Sequence, residues 1–287
     1  MSSRVRAYYH LTKPGIIYGN VMTAAAGFLL ASAWHIDFWL LISTLLGTSL
    51  VIASACVFNN YLDRDIDRQM ARTKKRALVT GEISGRQALI YATVLGLIGF
   101  GLLVSFVNIW VVFIGLVGYI DYLVFYGFFK RQSVYGTIVG SISGATALTA
   151  GYVAVSGRID TAAWLLFLIM VLWQMPHFYA IAMYRAKDYA AAHIPVLPVK
   201  QGMQAAKMQI LLYIPAFIIA CSLLTAFGYT GYIYLIGVVT IGTWWLTTGL
   251  LGMRMKDTDK WARQMFGRSL LVLLSLSVLL ALGSVLP

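Results

Sequence analysis

Residues 38–62 read FWLLISTLLGTSLVIASACVFNNYL, a stretch in which no side chain carries a charge. A helix that crosses a membrane needs about 20 apolar residues, because each residue advances the chain by only about 1.5 Å. The backbone must also be helical there, since hydrocarbon offers no partners to free N–H and C=O groups. This stretch therefore predicts a membrane-spanning helix.

Similar stretches recur along the 287-residue chain, which is 60% hydrophobic and 11% charged and has a mean hydropathy of +0.79. A soluble domain has about 25% charged residues, so water is excluded as the main solvent. We expect an all-α polytopic membrane protein, a bundle of nine transmembrane helices formed by a single domain over residues 1–287. The predicted spans are Gly15–Trp34, Phe38–Leu62, Ala88–Val107, Ile109–Phe129, Val134–Val155, Ala162–Met183, Met208–Phe227, Tyr232–Met253 and Ser269–Leu286.

The charges between these spans predict the orientation of the chain. The net charge of +12 would suggest nucleic acid as the partner of a soluble protein, but here the bases lie in the connections between apolar stretches. With the amino terminus in the cytoplasm, all of the 22 Lys and Arg residues except Arg158 lie on the inner side. This is the asymmetry of the positive-inside rule. It predicts a cytoplasmic amino terminus, an outer carboxyl terminus and no nucleic-acid partner.

The first span also resembles a cleavable secretory signal peptide. Arg4 and Arg6 precede an apolar run that ends in the small residues ASA at 31–33. Asn20 interrupts that run, and cleavage would remove the positive flank that orients the remaining spans. An uncleaved first helix is therefore the favoured interpretation.

The chain has only ten acidic residues, and several follow the second span. In a helix, Asn60, Asp63 and Asp67 share one stripe, whereas Asp65 points about 140° away from Asn60. Oxygen ligands on one face suit Mg²⁺, which takes its remaining ligands from water and phosphate. A basic run follows directly at Arg72, Lys74, Lys75 and Arg76. Together they predict a diphosphate site, although helix-end salt bridges of Asp63, Arg64, Asp67 and Arg68 remain an alternative.

A second polar group follows the sixth span. If the helix continues unbroken after Pro176, then His177, Tyr184 and Asp188 lie on nearly the same face. Pro176 lacks an amide donor and is expected to kink the helix beside His177. Four spans separate the two longest connections, so both are expected to open on the same side of the membrane.

Several segments resemble the UbiA superfamily of intramembrane prenyltransferases, in particular its branch that modifies haem. The superfamily's first motif, N-D-x-x-D-x-x-x-D, falls on Asn59, Asn60, Asp63 and Asp67, with Asn60 in place of the first acid. The second motif keeps Asp188 but has Tyr184 where many relatives have Asp. The matching segments are TKPGI (12–16), CVFNNYLDRDIDRQMARTKKR (56–76), YGTIVGSISGA (135–145), WQMPHFYAIAMYRAKDY (173–189) and IPVLPV (194–199).

The resemblance implies helices around a central cavity in a bacterial cytoplasmic (inner) membrane. The implied reaction joins the farnesyl group of farnesyl diphosphate to a vinyl carbon of haem b, while water adds at the neighbouring carbon. The products are haem o and diphosphate, the cofactor is Mg²⁺, and both substrates enter from the lipid bilayer. Haem A synthase or a terminal oxidase is the implied downstream partner.

The resemblance also implies roles for individual residues. The expected Mg²⁺ and diphosphate ligands are Asn60, Asp63, Asp67 and Asp188, of which the three acids are the candidate catalytic residues. The expected diphosphate partners are Arg72, Lys75, Arg76 and Lys130. Lys13 either reaches the same site or anchors the first span at the interface. His177 is a candidate contact for haem iron or propionate, or else a hydrogen-bonded core residue, and Tyr184 could bind substrate or pack.

Three further interpretations stay open at this point. A related scaffold could use an aromatic acid or quinone precursor as acceptor. A secondary transporter would also contain intramembrane acids, but its site is expected near the membrane midplane, and the chain shows no repeat symmetry between its halves. Asp121 lies within the fourth span, where a protonated acid hydrogen-bonded to a neighbouring helix is favoured over a proton carrier.

Overall fold

A computed structural model describes residues 3–287, and within this range every regular element is a helix. A π-helix (Asp121–Phe125) joins α7 to α8, and a 3₁₀ turn (Gly252–Arg254) follows α14. The helices in chain order are α1 (Ser3–Leu11), α2 (Pro14–Ser32), α3 (Phe38–Leu62), α4 (Arg64–Gln69), α5 (Ala77–Thr80), α6 (Gly85–Phe106), α7 (Ile109–Ile120), α8 (Tyr126–Gln132), α9 (Gly136–Ser156), α10 (Thr161–Tyr184), α11 (Ala186–Ala191), α12 (Leu197–Lys200), α13 (Gly202–Ala226), α14 (Tyr232–Leu251) and α15 (Thr258–Gly283).

Across residues 3–287, nine helices are long and apolar enough to cross a membrane, as the sequence predicts. The fourth span is composite, because α7, the π-helix and α8 form one continuous segment over Ile109–Gln132. The largest difference lies in the last span, which begins at Thr258 instead of Ser269. Asp257 caps this helix by accepting a hydrogen bond from the backbone N–H of Lys260 at 2.9 Å. Its first turns are polar, so hydropathy alone detects only the part that follows.

Small residues allow α2 and α9 to cross at very short range. A Cβ atom added to Gly27 would lie 2.2 Å from the carbonyl oxygen of Leu148, and one added to Gly151 would lie 1.9 Å from that of Ala24. Both distances are shorter than van der Waals contact, so these positions require glycine. In a membrane, where the hydrophobic effect does not drive helices together, such close packing is a main source of association.

Two long connections meet at one end of the bundle. We call residues 63–84 the first loop and residues 185–201 the second loop. Met70 of the first loop packs in one apolar cluster with Ala192 and Ile194 of the second, and Ile66, Tyr189 and Val196 border the cluster. The two loops therefore lie on the same side, as predicted, and bring the polar ends of α3 and α10 towards each other.

Candidate active site

The end of α3 passes almost without interruption into α4. Asp63 lies between the two helices with φ −93° and ψ −1°, and its backbone N–H still bonds the carbonyl of Asn59 at 2.9 Å. The next helical bond, from Asp67 N–H to Asp63 O, measures 2.8 Å. Because the helical path continues, Asn60, Asp63 and Asp67 are brought together and are all buried, with exposed fractions of 2%, 9% and 4%. Asp65 is exposed.

The two buried acids pair with cations that are distant in sequence. Arg76 Nη1 donates to Asp67 Oδ2 at 2.6 Å and to Asn60 Oδ1 at 3.0 Å, so one guanidinium bridges two members of the stripe. Asp63 accepts from Lys130 Nζ and from Arg131 Nη2, the latter at 3.3 Å. The helix-end pairing of these acids with Arg64 and Arg68, the alternative drawn from the sequence, is not the arrangement found. Instead, α8 and the first loop converge on the end of α3.

Lys13 also belongs to this group. Its Nζ donates to Asn59 Oδ1 at 2.7 Å and to Tyr122 OH at 3.2 Å, which places the residue at the site and not at the interface as a lipid anchor. Its backbone has φ 54° and ψ 63°, a left-handed conformation that is uncommon for any residue other than glycine. Burial lowers the pKa of the Lys13 amine to about 8, because the charged form is desolvated.

The charges of the cluster favour an anionic ligand. Two carboxylates face four cationic side chains, those of Lys13, Arg76, Lys130 and Arg131. Within residues 3–287, no group of three or more His, Cys, Asp and Glu side chains is placed to hold a metal ion without further ligands. The buried Nδ2 amide of Asn59 has no hydrogen-bond partner among residues 3–287, so this donor is available to an anionic ligand. Two carboxylates and an excess of positive charge suit Mg²⁺ that arrives with phosphate oxygens.

The π-helix supplies a wall of the site that the sequence did not reveal. The rings of Tyr122 and Tyr126 stack at 5.6 Å, and Lys130 lies 5.1 Å from the centroid of the Tyr126 ring. Buried Asp121 accepts a hydrogen bond from the backbone N–H of Ser143 in α9 at 3.0 Å. The sequence favoured such a bond to a neighbouring helix. Hydrophobic periodicity cannot detect a π turn, because it assumes about 3.6 residues per turn.

The second loop differs from the sequence prediction. The helix α10 continues through Pro176 but ends at Tyr184, and Asp188 lies on the separate helix α11. The interruption is a single residue, as at Asp63: Arg185 N–H bonds the carbonyl of Ile181 at 3.0 Å, and Tyr189 N–H bonds the carbonyl of Arg185 at 3.1 Å. The alignment of His177, Tyr184 and Asp188 on one face therefore stays a prediction. The carboxylate of Asp188 pairs with Arg185 at 3.6 Å.

Contact with the first loop is made by the residue that follows Asp188. Tyr189 borders the apolar cluster that joins Met70 of the first loop to Ala192 and Ile194, and burial raises the pKa of its hydroxyl while nearby Arg72 lowers it. Arg72 and Lys75, two of the predicted diphosphate partners, are exposed and make no ion pair in the part of the chain that is described. The predicted partners Arg76 and Lys130, in contrast, already touch the acids.

His177 is half-buried on the side of α10 that faces α15. Its Nδ1 lies 2.8 Å from Ser269 Oγ, and its ring stacks on Trp173 at 4.8 Å. Seven residues later, the Tyr184 ring lies beside the guanidinium of Arg263 at 4.7 Å. Arg263 and Ser269 were not among the predicted site residues. Arg263 lies in the polar first turns of α15, before the predicted span, and Ser269 is the first residue of that span.

Comparison with other sequences extends this description. The UbiA prenyltransferase family matches residues 20–278. A protein named protoheme IX farnesyltransferase from Sodalis glossinidius is 50% identical over 285 residues, which cover 99% of this chain and 96% of that protein. A protein of the same name from Salmonella typhimurium is 50% identical over 283 residues, covering 98% and 96%.

Solved structures share the fold at much lower identity. A study of digeranylgeranylglyceryl phosphate synthase provides a chain with a TM-score of 0.81 and 18% identity, covering 99% of both chains. A UbiA homologue from Archaeoglobus fulgidus bound to GPP and Mg²⁺ has a TM-score of 0.69 and 18% identity, covering 96% of this chain and 99% of the other. The sequence match and the shared architecture lead to one conclusion: the chain belongs to the UbiA prenyltransferase family.

Proposed function

We propose that the protein is a Mg²⁺-dependent intramembrane enzyme that transfers the farnesyl group of farnesyl diphosphate to a vinyl carbon of haem b. Water adds at the neighbouring carbon, and the products are haem o and diphosphate. The observation that carries the proposal is the buried pair Asp63 and Asp67, surrounded by an excess of cations at one end of a membrane bundle. The 50% identity to proteins named protoheme IX farnesyltransferase supports the choice of prenyl donor and acceptor.

The first loop and α8 would hold the diphosphate. Asn60, Asp63 and Asp67 present oxygen atoms from one stripe, and we assign them to Mg²⁺ together with the diphosphate. When bound, Mg²⁺ supplies positive charge that stabilises the diphosphate as it leaves. Arg76 and Lys130 are placed to bind the same group, because each already contacts an acid of the stripe. Fixed cations in a site of low dielectric stabilise developing negative charge strongly, since they need no reorganisation.

The exposed residues would complete the site when substrate binds. Arg72 and Lys75 lie in the same loop and form no ion pair with any described residue, so a diphosphate can attract them without breaking an ion pair there. Asp188 is only partly exposed and is held by Arg185, and we assign it to a water-bridged or direct Mg²⁺ contact from the second loop. Breaking the allylic C–O bond leaves a carbocation, which must be protected from early attack by water. The apolar helices below the loops would provide that protection.

The predicted topology belongs to this proposal. An inner-membrane protein with a cytoplasmic amino terminus would place both loops, and therefore the diphosphate site, in contact with the cytoplasm. Farnesyl diphosphate could then bind from that side while its chain enters the bilayer. The product, a lipid-soluble haem, would pass to haem A synthase or a terminal oxidase in the same membrane.

Product analysis tests the proposal. Membranes containing the protein are incubated with farnesyl diphosphate, haem b, a phenolic acceptor and Mg²⁺, and the products are identified by mass spectrometry. A haem enlarged by one farnesyl group and one hydroxyl group supports the proposal. An alkylated phenol would support an aromatic acceptor instead. If neither product formed, the proposed prenyltransferase activity would be overturned. Family membership already argues against the transporter interpretation.

A further inference from the structure

We propose that the face between α10 and α15 is the acceptor site, in which His177 Nε2 ligates the iron of the haem substrate and Arg263 binds a propionate carboxylate. The inference rests on the proposed function and names the residues that would recognise its acceptor. It depends on a hydrogen-bond chain that fixes the chemical form of His177, on the stacking around the ring, and on an unpaired guanidinium further along the same face.

The hydrogen-bond chain determines which nitrogen of His177 carries the proton. Ser269 Oγ donates its single proton to the carbonyl oxygen of Phe266 at 2.6 Å. The same hydroxyl oxygen lies 2.8 Å from His177 Nδ1 and can therefore only accept there. Nδ1 must carry the proton, and a neutral imidazole then has its lone pair on Nε2. This is the form in which a histidine binds a metal, with its other nitrogen donating to a second group.

The ring is also held in place. It stacks on Trp173 at 4.8 Å with an angle of 24° between the planes, and it lies 5.0 Å from the ring of Phe266. Trp173 is itself fixed, because its Nε1 donates to the carbonyl oxygen of Ser269 at 2.9 Å. In the described chain, residues 3–287, no hydrogen bond reaches His177 Nε2. A rigid imidazole with a free lone pair is therefore presented on a half-exposed face.

An unpaired positive charge lies further along this face. Tyr184 is seven residues beyond His177, about 10 Å along the helix. Arg263 and Arg185 lie 4.7 and 5.5 Å from its ring, and Arg185 also pairs with Asp188. Arg263 is exposed, and no described residue forms an ion pair with it. The rise of about 10 Å from His177 to Tyr184 is comparable with the distance from the iron of a porphyrin to its propionate carboxylates.

The end of this aromatic face lies near the donor site. Tyr189, five residues beyond Tyr184, borders the apolar cluster that contains Met70, so the end of the aromatic face lies beside the first loop. A planar acceptor on this face would therefore lie next to the site proposed for the diphosphate.

Spectroscopic titration tests the inference independently of turnover. Purified full-length protein in detergent is titrated with haem b and, in parallel, with metal-free protoporphyrin IX. We expect a spectrum of histidine-ligated haem that His177→Ala removes, with at least a tenfold loss of haem affinity and recovery of the spectrum by added imidazole. Affinity for the metal-free porphyrin should stay unchanged in His177→Ala. His35→Ala is the matched control, because His35 is exposed at the opposite end of the bundle.

Two further variants keep the inference testable if His177→Ala is not recovered. Ser269→Ala leaves the imidazole but removes the acceptor for Nδ1–H, so we expect weaker ligation and an altered spectrum. Arg263→Gln should weaken the binding of haem and metal-free porphyrin alike. An unchanged spectrum and affinity in His177→Ala, or in Ser269→Ala where only that variant is obtained, would overturn the inference. If the wild-type protein still makes farnesylated haem in that case, the proposed function stands without this acceptor site. If the wild-type protein makes no farnesylated haem, the proposed function itself is overturned.

Discussion

The first and second loops lie side by side at one end of the bundle, yet the acidic residues of the two loops have different surroundings. In the first loop, Asp63 is buried against Lys130 and Arg131 of α8, and Asp67 is buried against Arg76, nine residues further along the same loop. In the second loop, Asp188 pairs only with Arg185, three residues away, and the loop's contact with its neighbour is made by apolar side chains. The first loop thus forms a charge-matched anion site before any ligand binds, whereas the second mainly covers it and borders an aromatic face.

This contrast predicts that acids of the two loops differ most in catalysis. We expect Asp67→Ala or Asp63→Ala to lower kcat/KM by about 10³-fold, because each removes a group that fixes the leaving diphosphate and its metal. The bundle should remain folded in membranes, since the apolar packing of the spanning helices is unchanged, although Asp63→Ala also removes the partner of Lys130 and Arg131 in α8. Asp65→Ala is the matched control, because this exposed acid lies in the same turn but off the stripe. Rates of haem farnesylation measure the effect, and full activity in an Asp67 variant would contradict the assignment.

The bridging guanidinium should have the next largest effect. Arg76→Leu removes the shared partner of Asn60 and Asp67 and leaves a buried carboxylate uncompensated, which typically costs about 3–5 kcal/mol. Both thermal stability in detergent and kcat/KM should fall, the latter by about 10²-fold. Arg76→Lys retains the charge but cannot bridge two acceptors in the same geometry, so it should recover stability more than activity. Equal recovery of both would show that only the charge matters.

The second loop should tolerate the loss of its acid better. Asp188→Asn removes a charge whose partner is a single neighbouring arginine on a partly exposed surface, where ion pairs contribute little. We expect a fall in kcat/KM of about tenfold or less, through weaker binding of Mg²⁺. Mg²⁺ titration of the rate should show a shifted midpoint. A fall in kcat/KM as large as that of Asp67→Ala would mean that the acids of the two loops contribute equally to catalysis. The proposed difference between the loops would then be wrong.

A smaller effect is expected from pH. Lys13 is charged below its pKa of about 8 and neutral above it, so its attraction for a diphosphate is lost as pH rises through this value. We therefore expect KM for farnesyl diphosphate to rise between pH 7.5 and 9, by at most about tenfold per pH unit. Lys13→Arg stays charged throughout this range and should show a flatter profile. Identical profiles for the two proteins would exclude Lys13 from diphosphate binding.

The sequence predicted most of the fold and about half of the site, for identifiable physical reasons. Apolar length predicted the nine spans, and a continuing helix made the spacing of Asn60, Asp63 and Asp67 informative. Spacing missed the one-residue interruption at Arg185, which separates Tyr184 from Asp188. It also missed the cations that join the site through tertiary contacts, such as Arg131, and the tyrosines that the π-helix supplies, because neither follows a local periodicity.

Binding of inorganic diphosphate tests the central claim most directly, because it does not depend on the acceptor. Purified protein is titrated with diphosphate by calorimetry, with and without Mg²⁺. We predict binding that requires Mg²⁺, is lost in Asp67→Asn and is preserved in Asp65→Asn. Binding of equal strength in Asp67→Asn and the wild type would contradict the assignment of the first loop as the diphosphate site.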